Sequence, residues 1–142
     1  MDYIAGVYFL IEGIRDIKRK EIAPGVCFSI GILGCICSLL QGRDGMSFLL
    51  AEIPGCICLL ISVCTRQAVG YGDGIFLCGL GMLYPLEEIV FICSSALVIA
   101  GITGLILLVV FQRNGKYEIP FVPFLFVGWI LLQIIRKING DL

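Results

Sequence analysis

At 142 residues, with 59% hydrophobic and only 15% charged residues, a mean hydropathy of +1.04 and a formal net charge of −1, the chain has too few polar side chains to cover a water-soluble domain, where about 25% charged residues is usual. There is no basic face for a nucleic acid, and the lack of any histidine removes the commonest general base and metal ligand. The expectation is one membrane-embedded domain over residues 1–142, without metal or cofactor, whose acid–base chemistry falls to Asp, Glu, Lys, Tyr or Cys.

A bilayer core needs roughly 20 helical residues, fewer where flanking side chains reach out to the interface. The first apolar run, Tyr3–Ile14, is broken only by Glu12 and ends at Arg15-Asp16-Ile17-Lys18-Arg19-Lys20-Glu21. Its basic cluster follows the apolar run, the reverse of a cleaved signal peptide, so a membrane helix is expected. Val26–Leu40 carries no charge and leads to the polar turn Gln41-Gly42-Arg43-Asp44-Gly45. Met46–Cys64 contains Glu52 and Pro54-Gly55, where a kink is expected. After Arg66 comes Gly70-Tyr71-Gly72-Asp73-Gly74, then Ile75–Leu86, a run that spans only if its helix starts near Gly70. Glu87-Glu88 precedes Ile89–Phe111, 23 residues without a charge. The turn Arg113-Asn114-Gly115-Lys116 separates this from the last run, Phe121–Ile135, which ends before Arg136-Lys137.

In hydrocarbon every backbone group must be paired, so runs of this length are helices, and the alternation of a membrane barrel is absent. The expected fold is all-α, a polytopic integral membrane bundle of about six transmembrane helices, with no internal repeat. Positive charge marks the cytoplasmic side. With the first helix ending inside, the inner side holds Arg15, Lys18, Arg19, Lys20, Arg66, Arg113 and Lys116, and the outer side Arg43, Arg136 and Lys137, seven against three. Both termini are then outside, in the cytoplasmic membrane of the cell.

Eight cysteines lie in the apolar runs, none in a CxxC pair, and read as small packing side chains. Two aspartates carry more. Asp16 ends the first helix and Asp73 opens the fourth, which puts both at the inner face. Intramembrane acids are costly and usually paired or functional. Two carboxylates held close cannot both ionise easily, so one acts as base on a water while the other, protonated, donates to a carbonyl oxygen. On spacing alone, Asp16 reads equally as a juxtamembrane charge and Asp73 as a helix cap. Gly70, Gly72 and Gly74 suggest an opened helix end where an extended peptide can approach. Glu12 lies one helical turn before Asp16 on the same face; it could tune the pair of acids, but the blander reading, a partner of Arg15 or an interface residue, is favoured. Pro120 and Pro123 suit the first turn of the last helix.

Gly70-Tyr71-Gly72-Asp73 matches the GxGD motif of membrane-embedded aspartic peptidases. Asp16-Ile17-Lys18-Arg19-Lys20-Glu21-Ile22 resembles the segment around the first catalytic Asp of type IV prepilin peptidases, and Ile119-Pro120-Phe121-Val122-Pro123-Phe124-Leu125 resembles the stretch opening their last helix. The three stand in the family's order. The chain departs from the pattern at Ala23-Pro24, where the family has Pro-Asn, and at Ile75, where a Lys is common. It also lacks the CxxC-bearing insertion of the bifunctional members, and so resembles the short, peptidase-only form.

The resemblance implies an aspartic endopeptidase with Asp16 and Asp73 catalytic, Gly70, Gly72 and Gly74 shaping the site's backbone, and Lys18, Pro120, Phe121 and Pro123 in the neighbouring loop. The implied partners are the bilayer and a prepilin-like protein, cut on the cytoplasmic side between a short basic leader and an apolar helix. Two other readings stay open on the residues: a small transporter or channel subunit relaying protons or cations through the two Asp, and a non-catalytic component of a pilus or secretion assembly.

Overall fold

The computed structural model describes residues 2–19, 24–40, 42–65, 70–109 and 120–140, with only the backbone for residues 17–19, 24, 26 and 30. The basic and acidic residues at 20–21, Arg66, Arg113 and the stretch Lys116–Ile119 fall outside these ranges. All the regular structure among the described residues is helical: α1 (Asp2–Arg19), α2 (Pro24–Leu40), α3 (Gly45–Ala51), α4 (Ile53–Cys64), α5 (Tyr71–Leu83), α6 (Leu86–Val109) and α7 (Val122–Asn139).

The expected kink falls at Glu52, the single residue between α3 and α4. Pro54 stands in the first turn of α4 and has no N–H to continue the ladder. Hydrogen bonds still cross the break, from Glu52 N–H to Leu49 O at 3.3 Å and from Cys56 N–H to Glu52 O at 3.0 Å. The two segments therefore form one interrupted rod, and the seven segments make six rods, in the order read from the sequence. Three of these, Gly45–Cys64, Leu86–Val109 and Val122–Asn139, are long and apolar enough to cross a membrane. The second half of α6 shows why lipid is required. Leu97, Val98, Ile102, Leu105, Ile106, Leu108 and Val109 are all exposed, far more apolar surface than a soluble domain tolerates. The chain is a membrane protein.

Several boundaries differ from the reading of the sequence. α1 continues through the basic cluster to Arg19, and α7 continues to Asn139, capped by Gly140 in the left-handed conformation. Basic residues in the last turn of a helix meet its negative dipole end and favour that extension. α5 starts at Tyr71, so Gly72 and Gly74 are helical and the glycine-rich segment is no opened turn.

α5 is the hub, packed by α2, α3, α4 and α6. Its glycines allow this by close approach and not by unusual dihedrals. A Cβ on Gly81 would meet Ala51 O at 2.7 Å, and one on Gly74 would meet Leu59 N at 3.0 Å. α1 joins the hub through Tyr8, whose ring stacks on Phe76 at 4.4 Å and whose hydroxyl donates to Phe76 O at 3.3 Å. α7 packs against α6 and α1, with Phe9, Phe126 and Trp129 filling the space between.

Candidate active site

Because successive rods alternate in direction, the C-terminal end of α1 and the N-terminal ends of α5 and α7 gather at one end of the bundle. Asp16 lies in the last turns of α1 and is only 7% exposed. Its Oδ2 accepts a hydrogen bond from the Val122 N–H at 3.1 Å. The reason is local to α7. A helix start leaves several N–H groups unsatisfied. The cap residue here is Phe121, which offers no side-chain acceptor, and Pro123 has no N–H. Asp16 supplies the missing acceptor from another helix, where the dipole of α7 favours negative charge. Gly13, one turn earlier on α1, sits against the Val122 side chain.

Asp73 is the third residue of α5, and its N–H donates to the carbonyl of Gly70, the cap residue, at 3.2 Å. Its carboxyl folds back beside Gly70, where an added Cβ would come within 3.3 Å of Oδ2. Gly70 thus keeps the approach to the carboxyl clear, and Gly74 seats this end of α5 against Leu59 of α4. Asp16 and Asp73 lie within electrostatic reach, the charge of Asp16 acting on Asp73.

The other expected site residues divide. Pro120, Phe121 and Pro123 stand at the start of α7, part-buried, with Phe121 packed on the core. Gly72 is in the first turn of α5. Lys18 is in α1, and its side chain lies outside the described residues.

Three features were missed or misread in the sequence. The Val122 N–H bond to Asp16 links residues 106 apart, and no local pattern announces it. Glu12 does not reach the interface: it is fully buried, and its charge acts on Tyr8 and Cys27. The opposite end of the bundle carries a polar network. Asp2 Oδ1 accepts from the Tyr84 hydroxyl at 2.8 Å, from Gln133 Nε2 at 2.9 Å and from Arg136 Nη1 at 3.3 Å. Tyr84 in turn accepts from Trp129 Nε1 at 2.8 Å, Arg136 also pairs with Glu88, and Arg43 Nη2 donates to Tyr84 O at 2.9 Å. The placement of Arg43 with Arg136, away from Asp16, agrees with the division of loops drawn from the sequence.

A helical membrane bundle with two acids within electrostatic reach at one end defines a class of intramembrane carboxylate proteins. The chain matches the type IV leader peptidase family over residues 3–132 and belongs to it. This is a family of aspartic peptidases. No curated protein and no solved structure matches the chain.

Proposed function

We propose that this protein is an aspartic endopeptidase that removes the leader peptide from prepilin-like substrates, with Asp16 and Asp73 as its dyad. What supports this is that those two carboxyls lie within electrostatic reach at one end of the bundle, in a chain of the leader peptidase family. The hydrogen bond from Val122 N–H stabilises the ionised form of Asp16. Asp16 then holds the charge at rest and Asp73 the proton.

Asp16 takes a proton from a water whose oxygen attacks the scissile carbonyl carbon, while Asp73 gives its proton to the carbonyl oxygen. The tetrahedral intermediate collapses as the C–N bond breaks. The proton held by Asp16 passes to the departing amine, and the diol proton returns to Asp73. The substrate backbone must be extended here, because a helix hides its carbonyls in its own hydrogen bonds.

All six rods cross the membrane in this reading. The end carrying Arg15, Lys18 and Arg19 faces the cytoplasm, where a basic leader emerges from a membrane-anchored precursor. Asp16→Asn and Asp73→Asn, each co-expressed with a candidate prepilin, test the reading. Each is expected to lower cleavage by about 10³-fold, the scale of a lost general acid or base, with membrane insertion intact. Cleavage at the wild-type rate by either variant would refute the dyad.

A further inference from the structure

α4 and α5 come close at Gly55 and Cys78. A Cβ on Gly55 would lie 2.5 Å from Cys78 Sγ, 2.7 Å from its backbone N and 3.0 Å from its Cα. The Cys78 thiol is thus pressed against the α4 backbone one residue before Cys56. It lies within hydrogen-bonding reach of the Cys56 thiol and of the Glu52 carboxyl. Cys56 is exposed, which on a membrane rod means toward lipid, and Cys78 is half-buried. Glu52 Oε1 is buried with no hydrogen-bond partner among the described residues, so the carboxyl has acceptor capacity to spare.

We infer that Cys56 and Cys78 form a reactive dithiol, a site that a lipid-soluble disulfide oxidises to a bridge between α4 and α5. Packing alone asks only for a small apolar side chain at each position. It does not ask for two sulfurs in reach of each other across helices, with a carboxyl beside them. A bridge needs Cα atoms roughly 4.4–6.8 Å apart, a separation that packed helices reach only where their backbones come this close. The chemistry balances as thiol–disulfide exchange. The exposed Cys56 sulfur attacks one sulfur of the oxidant, and its proton leaves with the departing thiol. Glu52 then takes the proton of Cys78, whose thiolate is the reactive form and attacks the Cys56 sulfur of the mixed disulfide. The second thiol departs with the proton held by Glu52. Two protein thiols are oxidised, and one disulfide is reduced to two thiols. Cys78 follows Asp73 by five residues on α5, so the bridge pins the seat of that helix on α4. It forms whether or not the chain cleaves peptides, so it is tested apart from the peptidase reading.

The experiment uses the full chain in phosphatidylcholine vesicles, with dithiodipyridine as the oxidant; the chromophore it releases counts each exchange. Chains that run as monomers on a denaturing gel are then cut with trypsin, which leaves residues 44–66 and 67–113 as two segments. Cys93→Ser makes Cys78 the one cysteine of the second segment, so joining of the segments reports its bridge alone. The segments of this variant are expected to stay joined until dithiothreitol is added, and adding Cys56→Ser should abolish the joining. Separate segments in Cys93→Ser, or joining that persists without Cys56, would overturn the inference.

Two further readouts do not depend on digestion. Glu52→Gln removes the proton acceptor and should slow release of the second chromophore at least about tenfold, with the first release unchanged; an unchanged second release would overturn the role given to Glu52. Bridging should raise the midpoint of thermal unfolding, followed by Trp129 fluorescence, by about 5 °C over the reduced chain, and dithiothreitol should reverse the rise. An oxidised chain that unfolds at the same temperature as the reduced one would overturn the pinning of α5 on α4.

Discussion

Gly55→Ala tests whether the α4–α5 contact positions Asp73. Gly55 faces α5 so closely that a Cβ there would lie 2.7 Å from the backbone N of Cys78 and 3.0 Å from its Cα. An ordinary contact is about 3.5 Å or more, and these are backbone atoms that cannot swing aside. The helices must therefore separate by about 0.5–1 Å, an overpacking strain of about 1–3 kcal/mol. Cys78 is five residues from Asp73 on the same rigid helix, so the shift is passed to the carboxyl. A misplacement of about 1 Å costs about 10²-fold in rate, and kcat should fall by about 10- to 100-fold. Gly101→Ala is the control, since nothing lies within 4 Å of a Cβ there. The assay is cleavage of a prepilin probe in detergent micelles alongside thermal unfolding followed by Trp129 fluorescence. If Gly55→Ala unfolds and cleaves like Gly101→Ala, the contact does not set the position of Asp73.

The polar network at the far end yields further expectations. Tyr84→Phe removes the hydroxyl that links Trp129 to Asp2; it should cost about 1–3 kcal/mol, the price of leaving a buried donor unpaired, and should shift Trp129 emission, which a fluorescence scan reads directly. Arg136→Met strands Asp2 and Glu88 together and should lower the unfolding temperature at least as much, with Asp2→Asn in the same background recovering part of the loss. Neither change touches the Asp16 end, so kcat measured well below the unfolding temperature should stay within about twofold of wild type. Epitope tags at both ends of the chain should be accessible from the same, non-cytoplasmic side in sided vesicles, as the excess of inner Lys and Arg requires.

The rods were legible in the sequence because lipid leaves apolar runs no alternative to helix. Counting those runs put Asp16 and Asp73 at one end, since α1 and α5 are separated by an even number of crossings, and the placement of Arg43 with Arg136 follows from the same count. What was not legible depends on contacts between helices. The glycines around Asp73 suggested an opened backbone because glycine permits one. The structure uses Gly74 for close packing and Gly70 for clearance beside the carboxyl, roles with the same residue signature and a different cause. Glu12 reads from the sequence as a partner of Arg15 or an interface residue; the structure overturns the second, because Glu12 is buried and its charge acts on Tyr8 and Cys27. The capping of α7 by Asp16 was hidden because the partner is a backbone N–H. A backbone donor leaves no mark in a sequence, and only the absence of a capping side chain at Phe121 hinted that one was needed.

The two ends of the bundle do different physical work, and each needs the other. Two carboxylates within electrostatic reach repel when both are charged, so α1 and α5 need attraction that does not depend on the protonation of Asp16 and Asp73. Part comes from the Tyr8–Phe76 stack and hydrogen bond at mid-depth, and part from the network in which Asp2 binds residues of α7 and Tyr84 at the far end. Tyr84 closes α5 just as Asp73 opens it, and Asp2 opens α1 just as Asp16 nears its close. The same two helices are thus clasped at one end by hydrogen bonds. A stiff helix carries that constraint along its length, which helps to keep Asp16 and Asp73 within electrostatic reach at the other end.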